Sequence, residues 1–168
     1  MITTLQRLRR LLGDTDAVAF ENGRLSLHHE LWVDAQAVEA GLHGDDPRLL
    51  ERALGLYHGP FLVEEGEASW LLAPRDRLHD AVLQGYQCLG AQWRSQGRWE
   101  ALITLYHRAL AVDDLHEPFY REPIRAHARL GRTTEALRLY HRCRRRFQAE
   151  LGVSPSPATQ ALLAELLS

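Results

Sequence analysis

Only two cysteines occur in 168 residues, Cys88 and Cys143, far apart and in no CxxC or Cys/His spacing. Their scarcity excludes a disulfide framework and a structural zinc site, and it points to a reducing cytoplasm. The sequence has no run of about 18 apolar residues, and its start, MITTLQRLRR, lacks the apolar stretch of a secretory signal. A membrane or exported protein is therefore not expected. Charge of either sign is not in excess: 20 basic against 22 acidic side chains leave −2 overall. Taken whole, the chain has no electrostatic footprint of a nucleic-acid binder, so any such surface must be local. Among nine histidines there is no HxxxH with a nearby carboxylate, and no Gly-rich phosphate loop, GxSxG or Cys/His pairing occurs. Neither a metal site nor a cofactor nor an enzyme is expected.

What is present is an ordinary globular composition, 45% hydrophobic and 25% charged, enough for one core with a small appendage. At the start, Leu5, Leu8, Leu11 and Leu12 recur at helical spacing and Gly13 stands where a left-handed cap would. Thr3, Gln6, Arg7 and Arg10 project from the other side of that helix. AVAFENGRLSL then reads as a β-hairpin. Asn22-Gly23 suits a type I′ turn, which sets Glu21 opposite Arg24, Phe20 opposite Leu25 and Val18 opposite Leu27. The apolar face so formed needs cover, and the leucine side of the first helix is the nearest candidate.

Beyond residue 30 the pattern is helical throughout. Asp34 caps a helix to about Leu42, and Asp45 or Asp46 caps another to about Tyr57 with Pro47 in its first turn. HGPFLVEEGE is a loop, and a long helix runs from about Ala68 to Gln96. The remainder repeats: Gly97-Arg98 returns as Gly131-Arg132, and Leu105-Tyr106-His107-Arg108 as Leu139-Tyr140-His141-Arg142, both 34 residues later. That is the tetratricopeptide period. In the first copy, Leu83 to His116, Leu89-Gly90, Trp93, Tyr106 and Ala109 fit the repeat consensus. In the second, Glu117 to Glu150, Pro123-Ile124 replaces Leu-Gly, His127 the aromatic and Cys143 the small residue. Two copies leave apolar faces that the helices before residue 83 and a last helix, Ala158 to Leu167, are placed to cover.

Together, LQRLRRLLG, ENGRLSL, Trp32-Val33-Asp34, ALGLYHGPFL, Arg75 to Leu78, GRWEALITLYHRAL, HEPFYREPIRAHARLG and EALRLYHRCRRRFQAELGVSPSPATQALL resemble the bacterial transcriptional activator domain of the antibiotic regulatory proteins. The Trp32-Val33-Asp34 context also resembles versions carried by large ATP-dependent, MalT-like regulators. The resemblance implies a mainly α fold: a tetratricopeptide-like helical bundle over residues 31–168, preceded over residues 1–30 by the last helix and wing hairpin of a winged-helix DNA-binding domain. The upstream part of a winged helix has no counterpart here, so a longer parent is expected.

On this reading Thr3, Gln6, Arg7, Arg10 and, at the wing tip, Arg24 contact DNA in the intact parent. In this chain alone, a solvated polar face accounts for them better, because half the domain that would position the helix has no counterpart here. The repeat alignment also lines a groove with Gln84, Gln87 and Arg94 from the first copy and Arg121, Arg125 and Arg129 from the second, the last three at i, i+4, i+8 spacing. A basic groove suits an acidic segment of a protein partner: RNA polymerase, a sister protomer or the regulator's own sensor domain. Arg142 and Arg144 to Arg146 fit a solvated face better than a nucleic-acid patch, because Glu150 lies one turn beyond Arg146. A free-standing tetratricopeptide adaptor is the alternative. It would have no use for the leading helix and hairpin.

Overall fold

The computed structural model describes residues 2–28, 32–44, 46–62, 66 and 68–167, with side chains from Thr4 onward. Helix α1 (Ile2–Leu12) leads into an antiparallel hairpin of β1 (Val18–Glu21) and β2 (Arg24–Leu27). The hairpin register is Val18 to Leu27, Phe20 to Leu25 and Glu21 to Arg24. Asn22 and Gly23 both take positive φ, 52° and 80°, which is what a type I′ turn demands of its two central residues.

Seven helices follow: α2 (Asp34–Leu42), α3 (Pro47–Leu56), α4 (Ser69–Ser95), α5 (Trp99–Val112), α6 (Pro118–Arg129), α7 (Thr133–Leu151) and α8 (Pro157–Leu167). Asp34 is the first residue of α2 rather than its cap, Val33 holding the cap position. Asp46 caps α3, its carboxylate accepting from the Arg48 amide at 2.8 Å, with Pro47 in the first turn. Asp45, the other candidate cap, lies outside the described residues, as do 63–65 and 67 of the expected loop. Arg75 gathers the described part of that loop: its guanidinium donates to the carbonyls of Phe61 and Gly66, each at 2.6 Å, and of Leu62.

From α2 on, each helix packs on the next, with α2 also touching α4 and α8 touching α6. This is the stacking of a helical repeat. The repeat is visible in its hydrogen bonds. Gly97 (φ 68°) ends α4 so that the Arg98 amide donates to the Trp93 carbonyl at 2.9 Å. Gly131 (φ 70°) ends α6 so that the Arg132 amide donates to the His127 carbonyl, also at 2.9 Å. One continuous core runs through the stack, with Leu89, Leu102, Phe119, Tyr120 and Cys143 fully buried. Burial of each large side chain stabilises by about 1.5–3 kcal/mol, so helices with little independent stability are held by their neighbours. The Ala158 to Leu167 segment does cap the stack, burying Thr159 and Leu162.

The hairpin is less covered than its pattern suggests. Arg9 donates through Nε and Nη2 to the Val18 carbonyl at 2.9 and 2.7 Å, and Ala17 and Val18 are buried. That anchor holds α1 at the Val18 end, so the leucine side of the helix does not reach the rest of the face: Leu25 is 62% and Leu27 51% exposed. Leu11, expected to help cover it, is 85% exposed.

Candidate functional site

Two surfaces collect the residues singled out from the sequence. On α1, the side chains of Gln6, Arg7 and Arg10 are exposed, while the Thr3 side chain lies outside the described residues. Arg24 is exposed at the tip of the hairpin, opposite Glu21. Because Arg9 is turned back onto Val18, the helix carries one arginine as a structural anchor and two facing solvent.

The second surface spans α4 and α6. Arg94 from α4 and Arg125 from α6 converge on one carboxylate, Glu122: Arg94 Nη1 lies 3.3 Å and Arg125 Nη1 2.9 Å from it. Glu122 was not foreseen as part of the groove, although it stands three residues before Arg125 in REPIRAHAR. It fixes both guanidiniums and cancels part of their charge, so the surface is less basic than the arginine stripe alone implies. Both arginines stay about half exposed and keep N–H donors for an incoming acid. All twenty basic side chains of the chain are arginine, whose planar fork fits carboxylates and phosphates in two-point contact.

The other expected groove residues divide. Gln87 joins the surface, its Nε2 lying 2.9 Å from Nε2 of His116. The His116 ring is held below the ordinary histidine range, first by burial and then by His79 and Arg121, against the pull of Asp113. Arg129 is exposed in the last turn of α6. Arg121 is more buried and faces Glu117. Burial works to raise the Glu117 carboxyl, but the hydrogen bonds from Ser156 and the Arg121 charge help outweigh it and hold the group low. Ser156 donates to Glu117 from its hydroxyl at 2.5 Å and its amide at 2.9 Å, tying the approach to α8 onto α6. Gln84 stands apart, beside Leu42, His43 and Leu50 at the α2–α3 end.

Within the Arg142 to Arg146 run of α7, one arginine has acidic partners. Arg146 pairs with Asp114 at 2.6 Å and with Glu150 at 2.5 Å. Among the described residues no group of three His, Cys, Asp or Glu is placed to hold a metal ion, and no helix is long and apolar enough to cross a membrane.

Comparison with known proteins gives this architecture a family. Over 120 residues the chain is 28% identical to the transcriptional regulator RedD of Streptomyces coelicolor, a match covering 71% of this chain and 34% of that protein. A solved structure of Mycobacterium tuberculosis EmbR, in complex with a low-affinity phosphopeptide, superposes with a TM-score of 0.62 at 21% identity, covering 98% of this chain and 48% of that one. The likeness to EmbR shows the shared fold, and the chain spans about a third to a half of the length of these relatives. The model of the bacterial transcriptional activator domain matches residues 16–167, hairpin and helical stack alike, and the chain belongs to that family.

Proposed function

We propose that this chain is the effector part of a bacterial transcriptional activator working in the cytoplasm. In this reading the α4–α6 surface docks an acidic segment of a protein partner, and α1 with its hairpin belongs to an adjoining winged-helix unit that reads DNA. The family match over residues 16–167 carries the proposal. Two features support its division of labour. Arg94 and Arg125 are oriented around Glu122 at the solvent boundary, so a partner carboxylate meets guanidiniums already in place. Gln6, Arg7, Arg10 and Arg24 lie exposed at the other end of the sequence, on elements an adaptor would not need. The partner chemistry fits an acidic stretch of RNA polymerase, of a sister protomer or of the regulator's own sensor domain.

The test uses the full-length regulator carrying Arg125→Glu. The substitution removes one charge-assisted contact, places a second carboxylate beside Glu122, and lowers partner occupancy roughly 10²-fold. Activation of a reporter promoter is expected to collapse, while the protein's abundance and operator binding remain unchanged. Full activation by this variant at normal abundance would return the surface to uncommitted solvent-facing arginines.

A further inference from the structure

A cleft of about 600 Å³ opens between the end of α3, the Tyr57–Pro60 segment, and the α4–α5 pair. Its size is that of a site for a small organic molecule. Three hydrogen-bond donors face it without a hydrogen-bonding partner among the described residues. Two are phenols: Tyr57 is 8% and Tyr86 1% exposed, and both line the cleft. Neither hydroxyl makes a hydrogen bond to the described residues, and each is open to the cleft, available to a ligand there. The third donor is Arg108, which forms no ion pair among the described residues.

The surrounding sequence leaves these donors in place. Gly55 has no side chain, and a Cβ there would lie 3.7 Å from Arg108 Nη2, so the guanidinium rests against the α3 backbone at the cleft edge. The ring of Tyr86 is fixed by an edge contact with Phe119, the centroids 5.9 Å apart. Burial, followed by the neighbouring Tyr86, raises the Tyr57 phenol, and burial raises Tyr86 against the opposing charge of Arg108. Both hydroxyls therefore stay protonated donors at neutral pH. Among the described residues no acidic side chain lines the cleft; His79 at its rim has its own partner, Asp113, at 3.7 Å. The walls between the donors are apolar, from Pro60, Ala111 and Val112.

A guanidinium with two neutral O–H donors and no acid is a receptor for an anion, and apolar walls call for a hydrocarbon body behind it. We propose that this cleft binds a small organic monocarboxylate, its carboxylate held by Arg108, Tyr57 and Tyr86 and its carbon body against Pro60, Ala111 and Val112. The site lies away from the Arg94–Glu122–Arg125 cluster, and its existence does not depend on the role proposed for that surface.

The probes are benzoate and hexanoate, with benzamide and hexanamide as neutral counterparts, titrated into the 168-residue protein and followed by backbone and arginine side-chain NMR. The carboxylates should bind saturably, with Kd on the order of 1 mM for so few atoms. Shifts should centre on Gly55, Gly59 and the Arg108 side chain, and the amides should bind at least about tenfold more weakly. Arg108→Gln should weaken carboxylate binding by about tenfold or more, as should Tyr57→Phe with Tyr86→Phe. Because those hydroxyls have no protein partner, the double Phe variant should keep the wild-type melting temperature, which separates lost binding from lost folding. Absence of saturable binding, equal binding of amide and acid, shifts centred on α6, or undiminished binding by Arg108→Gln would each overturn the assignment.

Discussion

The contact between α4 and α5 turns on one missing side chain. A Cβ on Gly90 would lie 2.3 Å from the hydroxyl oxygen of Tyr106 and 2.7 and 2.8 Å from its Cζ and Cε2. Ordinary contact begins near 3.4 Å, so the ring would have to retreat by roughly 1 Å. It has nowhere to go: Tyr106 is 3% exposed and packs on Phe119 with ring centroids 5.5 Å apart. Overpacking of this kind costs about 1–3 kcal/mol, while alanine in a helix interior returns about 1 kcal/mol over glycine. Gly90→Ala should therefore destabilise, by up to about 2 kcal/mol. Gly55→Ala makes the same chemical change in α3, where the nearest heavy atom stands at an ordinary 3.7 Å, and should be neutral or stabilising by up to about 1 kcal/mol. Urea and thermal unfolding measure both, each kcal/mol moving the melting temperature by about 2–4 °C for a chain of this size. In a Tyr106→Leu background the penalty at Gly90 should vanish, which a double-mutant cycle isolates. If the two glycine variants shift stability equally, or the penalty survives without the tyrosine, the close-approach argument is wrong.

Two further perturbations probe the connection before α4 and the second repeat. Arg75→Ala removes three carbonyl contacts at Phe61, Leu62 and Gly66 and should cost about 2 kcal/mol while speeding chymotryptic cleavage after Phe61 and Leu62. Unchanged cleavage would show that the segment is held by something else. His127 is buried at the aromatic position of the second repeat, and burial, then Arg132, holds its pKa below the ordinary value. The folded state thus binds fewer protons than the unfolded chain as pH falls through about 6.5, so stability is present above that pH and lost below it. His127→Phe should flatten the stability profile between about pH 7 and 5, and an unaltered slope in urea titrations would exclude His127 as its source.

The sequence made the local structure readable because local rules govern it. Asn22-Gly23 dictates both the turn and the register, and Gly97 and Gly131 mark equivalent helix ends because each takes a left-handed conformation. Even the departures in the second repeat make sense: Ile124 stands where Gly90 stands in the first, so Tyr140 meets a different surface from Tyr106. What spacing could not reveal is which side chains meet across elements. The sequence separation of 28 between Arg94 and Glu122 gives no sign that the two pair. Nothing in the sequence announces that Arg75 reaches back to three carbonyls, or that Tyr57, Tyr86 and Arg108, from three different elements, surround one cleft. The bareness of the hairpin was hidden for the same reason, since alternation shows that a face is apolar and not whether a neighbour reaches it.

The length of α4 gives the molecule a mechanical character. Twenty-seven residues make a strut of about 40 Å that carries Tyr86 and, two turns further on, Arg94. Pro74 has no amide hydrogen for the Trp70 carbonyl, which weakens the strut near its first turns, where helices bend most readily. Beyond that joint, Tyr86, Leu89 and Trp93 are buried in the core, which anchors the stretch from Tyr86 to Arg94. The weakest point of α4 thus lies next to the segment tied down by Arg75.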